Sequence, residues 1–149
     1  MPDDAPDVGP TVLVVEDDAL VAMLVFDVLA DAGYRPLWTP DGRAAPAGSE
    51  PAATARAAVV DLRLADGLDG RDVLRRLRRE CPSLPAVVVT GFHPEAPQAD
   101  LRGLGGPTLR LCKPFDGDDF LGGLSAVLGA RAAATPRRRA SDVPATVAA

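Results

Sequence analysis

The chain has 149 residues, 47% of them hydrophobic, which suits a single domain with one well-filled core. With 21 acidic against 16 basic residues the net charge is −5, which argues against general affinity for nucleic-acid phosphates, so direct DNA binding is not expected. The apolar runs at 12–15 and 86–89 are far shorter than the roughly 20 residues that cross a bilayer, and residues 1–10 carry three Asp and no basic residue, unlike a secretion signal. No membrane insertion and a cytoplasmic location are therefore expected.

In chain order, residues 1–10 are acidic and Pro-containing and read as a disordered lead. Residues 11–15 (TVLVV) form a continuous β-branched run, the pattern of a strand buried on both faces. Residues 19–32 follow with apolar residues at helical spacing, Asp18 as N-cap and Gly33 just past the end. A weaker strand is expected at 35–39, which contains Pro36. Residues 44–56 are interrupted by Pro46, Gly48 and Pro51, so any helix there is short or frayed. A second strong strand spans 57–62. A helix at 71–80 should turn Val73, Leu74 and Leu77 inward and Arg75, Arg76, Arg78 and Arg79 outward.

Residues 85–90 (PAVVVT) are the next strand. The Pro- and Gly-rich stretch at 92–106 leaves room for one or two helical turns, and residues 108–112 give the last strand. A closing helix at 116–130 carries Phe120, Leu124 and Val127 on one face, and residues 131–149 read as a disordered tail with a solvated basic cluster at Arg137, Arg138 and Arg139. Cys81 and Cys112 lack metal-ligand spacing and are expected as buried free thiols. Apolar strands alternating with helices predict an α/β protein: a doubly wound, five-stranded parallel sheet, with ligands at the carboxyl ends of its strands.

Those ends are chemically rich. Strand one ends in Glu16 and Asp17, the 57–62 strand carries Asp61, the next ends at Thr90, and the last runs into Lys113. Taken singly, an acid at a strand end is as readily a helix cap as a ligand, and Asp18 and Asp116 are read as caps. Together, three carboxylates call for a cation, and an all-oxygen acidic site suits Mg²⁺ and phosphoryl chemistry. Lys113 is the single lysine among the 16 basic residues, a position where a compact, rotatable ammonium has been kept in an otherwise Arg-only chain.

The segments VLVVEDD, VVDLRL, VVVTG and LCKPF, in this order and spacing over roughly residues 11–130, resemble the receiver domain of bacterial two-component response regulators. The resemblance implies the flavodoxin-like receiver fold. It makes Asp61 the phosphoacceptor and makes Glu16, Asp17, Asp61 and the backbone carbonyl of Arg63 the ligands of Mg²⁺. Thr90 and Lys113 become contacts of the phosphoryl group, and the Lys113–Pro114 peptide is expected to be cis.

The resemblance further implies a histidine kinase as donor, with a histidine phosphotransfer protein or a downstream target as other partners. A monomer or a phosphorylation-dependent dimer is expected. Such a protein assists its own phosphorylation and dephosphorylation without being a turnover enzyme. His93 lies in a Pro-rich loop and is read as a solvated residue, not a phosphodonor.

Two departures stand out. Arg110 occupies the place, three residues before Lys113, where the family carries Tyr or Phe, which suggests an ion-pairing switch in place of an aromatic one. Arg63 and Phe92, two residues after Asp61 and Thr90, are bulky and are expected to restrict water access. The leading expectation is a single-domain response regulator that signals by protein contact or onward phosphorelay. The alternatives are a phosphorylation-independent docking module of the same fold, weighed against by the complete residue set, and an Asp-nucleophile phosphatase, which needs a second Asp where Arg63 stands.

Overall fold

A computed structural model describes residues 9–39 and 55–134, with side chains through residue 130. Five strands, β1 (Thr11–Val15), β2 (Arg35–Thr39), β3 (Ala57–Asp61), β4 (Ala86–Thr90) and β5 (Thr108–Cys112), pair in parallel in the order β2-β1-β3-β4-β5. Three α-helices accompany them among the described residues: α1 (Ala19–Asp31), α2 (Gly70–Glu80) and α3 (Gly117–Ala134). The sheet is doubly wound, as the alternation of elements predicts, and its strand order, reversing between β1 and β3, is the flavodoxin-like one that the resemblance implies.

Burial follows position in the sheet. All residues of β3 and β4 are buried, and β1 is buried from Val12 onward, so their apolar runs fit a sheet covered on both faces. The edge strands β2 and β5 are only partly buried. Edge placement explains how β2 accommodates Pro36, since one side of an edge strand needs no ladder donors.

On one face, Val25 and Leu29 of α1 and Phe120, Leu124 and Val127 of α3 pack on Val12, Val14, Val59 and Val87. On the other, Val73 and Leu77 of α2 meet Leu13, Val15, Ala58 and Val60, while Leu74 meets Ala86 and Val88. Each such side chain contributes about 1.5–3 kcal/mol by leaving water.

Caps set the helix starts. Asp18 accepts from the N–H groups of Leu20 and Val21 at 2.9 and 3.4 Å, Asp69 from Arg71 at 2.8 Å, and Asp116 from Asp119 at 2.8 Å. Gly33, just past α1, has φ +94°, the left-handed conformation that favours glycine.

The structure corrects three expectations. Arg78 does not face solvent: it is 6% exposed, and its guanidinium donates to the carbonyls of Leu84, Leu104, Gly105 and Pro107 and to the Thr108 hydroxyl. Backbone carbonyls can satisfy a buried guanidinium, which hydropathy alone cannot register. The free cysteines are not buried: Cys81 is half-buried and Cys112 exposed, because the face of β5 that carries Cys112 has no helix over it. Helix α3 continues to Ala134, through residues expected in the tail, because the RAAA run at 131–134 is strongly helix-forming.

Finally, residues 92–106 hold only one 3₁₀ turn, Pro97–Ala99, so the segment is at the short end of the expected one or two turns. The expected short helix at 44–56 falls almost wholly outside the described residues, as do most of the lead and the tail beyond residue 134.

Candidate functional site

Because the strands are parallel, their carboxyl ends share one edge of the sheet. That edge gathers Glu16 and Asp17 after β1, Asp61 closing β3, Thr90 closing β4 and Lys113 following β5. The Lys113 N–H donates to the Thr90 carbonyl at 2.8 Å, continuing the β4–β5 ladder one residue further, and the Lys113–Pro114 peptide is cis. Lys113 Nζ lies 3.1 Å from Asp61 Oδ2 and 3.4 Å from Glu16 Oε1. One oxygen from each of Glu16, Asp17 and Asp61 falls within 4.8 Å of the others.

Glu16 is 1% exposed, and its Oε1 accepts no hydrogen bond, while its Oε2 accepts from the Asp18 N–H at 3.1 Å. Burial, followed by the hydrogen bond and negative charge of Asp61, pushes the Glu16 carboxyl from its ordinary 4.5 up to about 8; Lys113 and the Asp18 N–H pull the other way. Burial works against the Lys113 ammonium, but Asp61 and Glu16 overcome it and hold its pKa above the ordinary lysine value. A buried carboxylate oxygen that accepts no hydrogen bond, beside two further carboxylates, is the donor set of a hard cation, and Mg²⁺ fits these all-oxygen ligands.

The surroundings fix the cluster. Indole Nε1 of Trp38 donates to the Glu16 carbonyl at 2.7 Å, tying β2 to the end of β1. Asp61 Oδ1 accepts from the Arg63 N–H at 3.1 Å. Helix α2 starts against the backbone of Asp61: a Cβ on Gly70 would stand 2.0 Å from the Asp61 carbonyl oxygen, so only glycine fits. A cleft of about 530 Å³, lined by Asp17, Asp61, Arg63, Phe92 and Lys113 among others, opens the site to solvent. The Arg63 guanidinium lies 5.2 Å over the Phe92 ring, a cation–π contact at the cleft wall.

Glu16, Asp17, Asp61 and Lys113 are thus brought together as the sequence leads one to expect. The Thr90 hydroxyl is buried nearby and accepts from the Phe92 N–H at 2.9 Å, with no hydrogen bond to the Asp61 or Lys113 side chain among the described residues. Arg110 stands apart: it is exposed on β5, and Nη1 donates to the Ala99 carbonyl at 3.4 Å. His93 is exposed, and its Nδ1 accepts from the Glu95 N–H at 3.0 Å, which fits a loop residue. Sequence reasoning missed Gly70 and Trp38. The glycine directly after the Asp69 cap, where a helix-favouring residue is usual, was the available signal for the first; nothing in the sequence marks the second.

The family described as response regulator receiver domain matches residues 12–122, well over half of the chain. A curated response regulator receiver protein of Anaeromyxobacter sp. (strain Fw109-5) is 47% identical over 64 residues, 43% of this chain, and the match spans only 24% of that relative's length. Among solved structures, a response regulator receiver protein from Sinorhizobium medicae superposes with a TM-score of 0.69 at 25% identity, covering 83% of this chain and 97% of its own.

The receiver domain of a sensor histidine kinase from Pseudomonas aeruginosa, solved with a magnesium ion coordinated in its active-site cleft, superposes with a TM-score of 0.67 at 26% identity, covering 81% and 98%. Fold and site together define a doubly wound α/β domain with three carboxylates and a lysine gathered at the carboxyl edge of its sheet. The chain belongs to the response regulator receiver family. Among the described residues no helix is long and apolar enough to cross a membrane.

Proposed function

We propose that this chain is a single-domain response regulator that accepts a phosphoryl group on Asp61 from a phosphohistidine of a histidine kinase or a histidine phosphotransfer protein. The observation that carries the reading is the placing of the Asp61 carboxylate between the Lys113 ammonium at 3.1 Å and the two further carboxylates of Glu16 and Asp17. An Asp61 oxygen attacks phosphorus and the P–N bond breaks. Its electron pair returns to the imidazole, which takes a proton from solvent, and an acyl phosphate remains.

Glu16, Asp17, Asp61 and the backbone carbonyl of Arg63 are the groups that would hold Mg²⁺. When bound, Mg²⁺ supplies positive charge to the transferring phosphoryl oxygens. Lys113 supplies a second positive charge and pairs with a phosphoryl oxygen, and the Thr90 hydroxyl exchanges its bond with Phe92 for one to the phosphoryl group. Arg63 and Phe92 narrow the approach of water to the acyl phosphate. Arg110 serves as an ion-pairing switch in the place of the family's aromatic; equal solvent exposure of Arg110 with and without phosphate contradicts this.

The chain then signals by contact with a target protein or by passing the phosphoryl group onward, as a monomer or as a phosphorylation-dependent dimer, in the cytoplasm and without binding DNA. It is not a turnover enzyme. The test is transfer from a ³²P-labelled histidine kinase: label should pass to the wild type and not to Asp61→Asn, and label on both proteins or on neither contradicts the reading.

A further inference from the structure

Glu16 and Asp17 lie in the short connection between β1, which ends at Val15, and α1, which starts at Ala19. The paired register of β1 and β2 ends at Val15 and Thr39, so beyond it the backbone is placed by individual hydrogen bonds. The end of β2 supplies two of them, one on each side of Glu16. The Glu16 N–H donates to the Thr39 carbonyl at 3.4 Å, and the Glu16 carbonyl accepts from the Trp38 indole Nε1 at 2.7 Å. The first bond is long, whereas the second is at the short end of the range for an N–H donor. The grip of β2 on this connection is therefore chiefly that of the indole.

The orientation of that side chain is unusual. Trp38 is paired with Val14, on the side of the sheet that α1 covers, and it is 42% exposed. A half-exposed tryptophan ordinarily lays its ring against the protein and leaves the N–H to water. Here the order is reversed: much of Trp38 stays in water, while the N–H turns in to the carbonyl of a residue that is only 1% exposed. Leaving a large aromatic surface wet is unfavourable. The geometry thus singles out the N–H as what this position uses, and the one tryptophan of the chain stands here.

We propose that Trp38 is a positioning residue for the cation site: its indole fixes the Glu16 carbonyl and, with it, the peptide that carries the carboxylates of Glu16 and Asp17. The proposal rests on the reading of Glu16, Asp17 and Asp61 as groups that hold Mg²⁺. Trp38 is not itself a ligand and acts through the Glu16 backbone. Because Glu16 and Asp17 are adjacent, a rotation of their shared peptide moves both carboxylates relative to Asp61, and these three oxygens have to stay within the 4.8 Å that groups them. A hydrogen bond that orients metal ligands from outside commonly changes affinity by about 10–100-fold.

The probe is Mg²⁺ alone, titrated calorimetrically into the full chain. Trp38→Phe keeps an aromatic ring and removes the donor, and it should weaken Mg²⁺ binding about tenfold. Leu37→Ala, on the opposite face of the same strand, should leave the affinity close to that of the wild type. When Asp61 is labelled with acetyl phosphate, the half-saturating Mg²⁺ concentration of Trp38→Phe should rise by the same factor, with the rate at saturating Mg²⁺ unchanged; general damage to the fold would lower that rate as well. The wild type gives an independent test, because its single indole N–H yields one NMR signal. Coupling is reciprocal, so that N–H should exchange with solvent about tenfold more slowly when Mg²⁺ is bound. Equal affinity of wild type and Trp38→Phe, an equal loss in Leu37→Ala, or indole exchange indifferent to Mg²⁺ would each overturn the proposal and leave the reading of the acidic cluster standing. No binding of Mg²⁺ by the wild type would overturn both.

Discussion

Glu16 is buried beside Asp61 and holds its proton up to about pH 8 when no cation is present. A cation bound by Glu16 must displace that proton, so Mg²⁺ affinity should climb as pH rises from about 6 towards 8 and level off above it. Calorimetric titration across this range should show proton release, and Glu16→Gln should flatten the profile; an affinity independent of pH in the wild type contradicts the assignment. The same shift governs stability. A carboxyl whose folded-state pKa is raised stabilises the metal-free fold below its ordinary 4.5, and this contribution disappears as pH rises through about 8. The metal-free melting temperature should therefore fall between pH 5 and pH 8.5, and Mg²⁺ should reverse that fall.

Arg63 and Phe92 allow a second prediction at this scale. Their cation–π contact places two bulky side chains at the wall of the cleft that opens onto Asp61. Trimming both to Ala should shorten the acyl-phosphate lifetime about threefold or more by admitting water. An unchanged half-life in a single-turnover hydrolysis assay would show that neither side chain limits water.

At the scale of elements, Arg78 does the work of a missing helix. Its guanidinium joins α2 to the chain before β4 and to the chain before β5, and burial without a carboxylate partner pushes its pKa down to about 10, so it stays charged at neutral pH. Arg78→Met would leave several buried carbonyls without donors and should cost about 3 kcal/mol or more of unfolding free energy. A loss below about 1 kcal/mol in urea denaturation would show that water substitutes for the guanidinium. Gly106 belongs to the same device: it sits at φ +65°, and a Cβ there would meet the guanidinium carbon at 2.8 Å, so Gly106→Ala should also destabilise.

The elements differ in how plainly the sequence announces them. β1, β3 and β4 are legible because a strand buried on both faces must be apolar throughout, and α1 and α2 because their caps and periodicity agree. Arg78 was not legible, since most of its partners are backbone carbonyls, up to 29 residues away, and carry no sequence signature. Cys112 misled for a related reason: its exposure depends on the helix that residues 91–107 do not form, a property of the neighbouring segment.

For the whole molecule, the convergence of Glu16, Asp17, Asp61 and Lys113 was legible because parallel strands deliver their carboxyl ends to one edge, so motif order alone predicts the meeting point. What the sequence could not supply was the state of each group. Thr90 matches its motif, yet its hydroxyl is engaged by Phe92, and a cavity beside β5 exists only because the β4–β5 connection leaves the sheet open. Both features depend on contacts between segments that no local pattern encodes.

The central claim is that Asp61 accepts the phosphoryl group. Intact mass after incubation with acetyl phosphate and Mg²⁺ tests it most directly, with Asp61→Ala treated in parallel. The wild type should gain the mass of one phosphoryl group, lose it on hydroxylamine treatment and gain nothing when EDTA replaces Mg²⁺, while Asp61→Ala stays unmodified. A gain by Asp61→Ala equal to that of the wild type, or no gain by the wild type under conditions where it binds Mg²⁺, would contradict it.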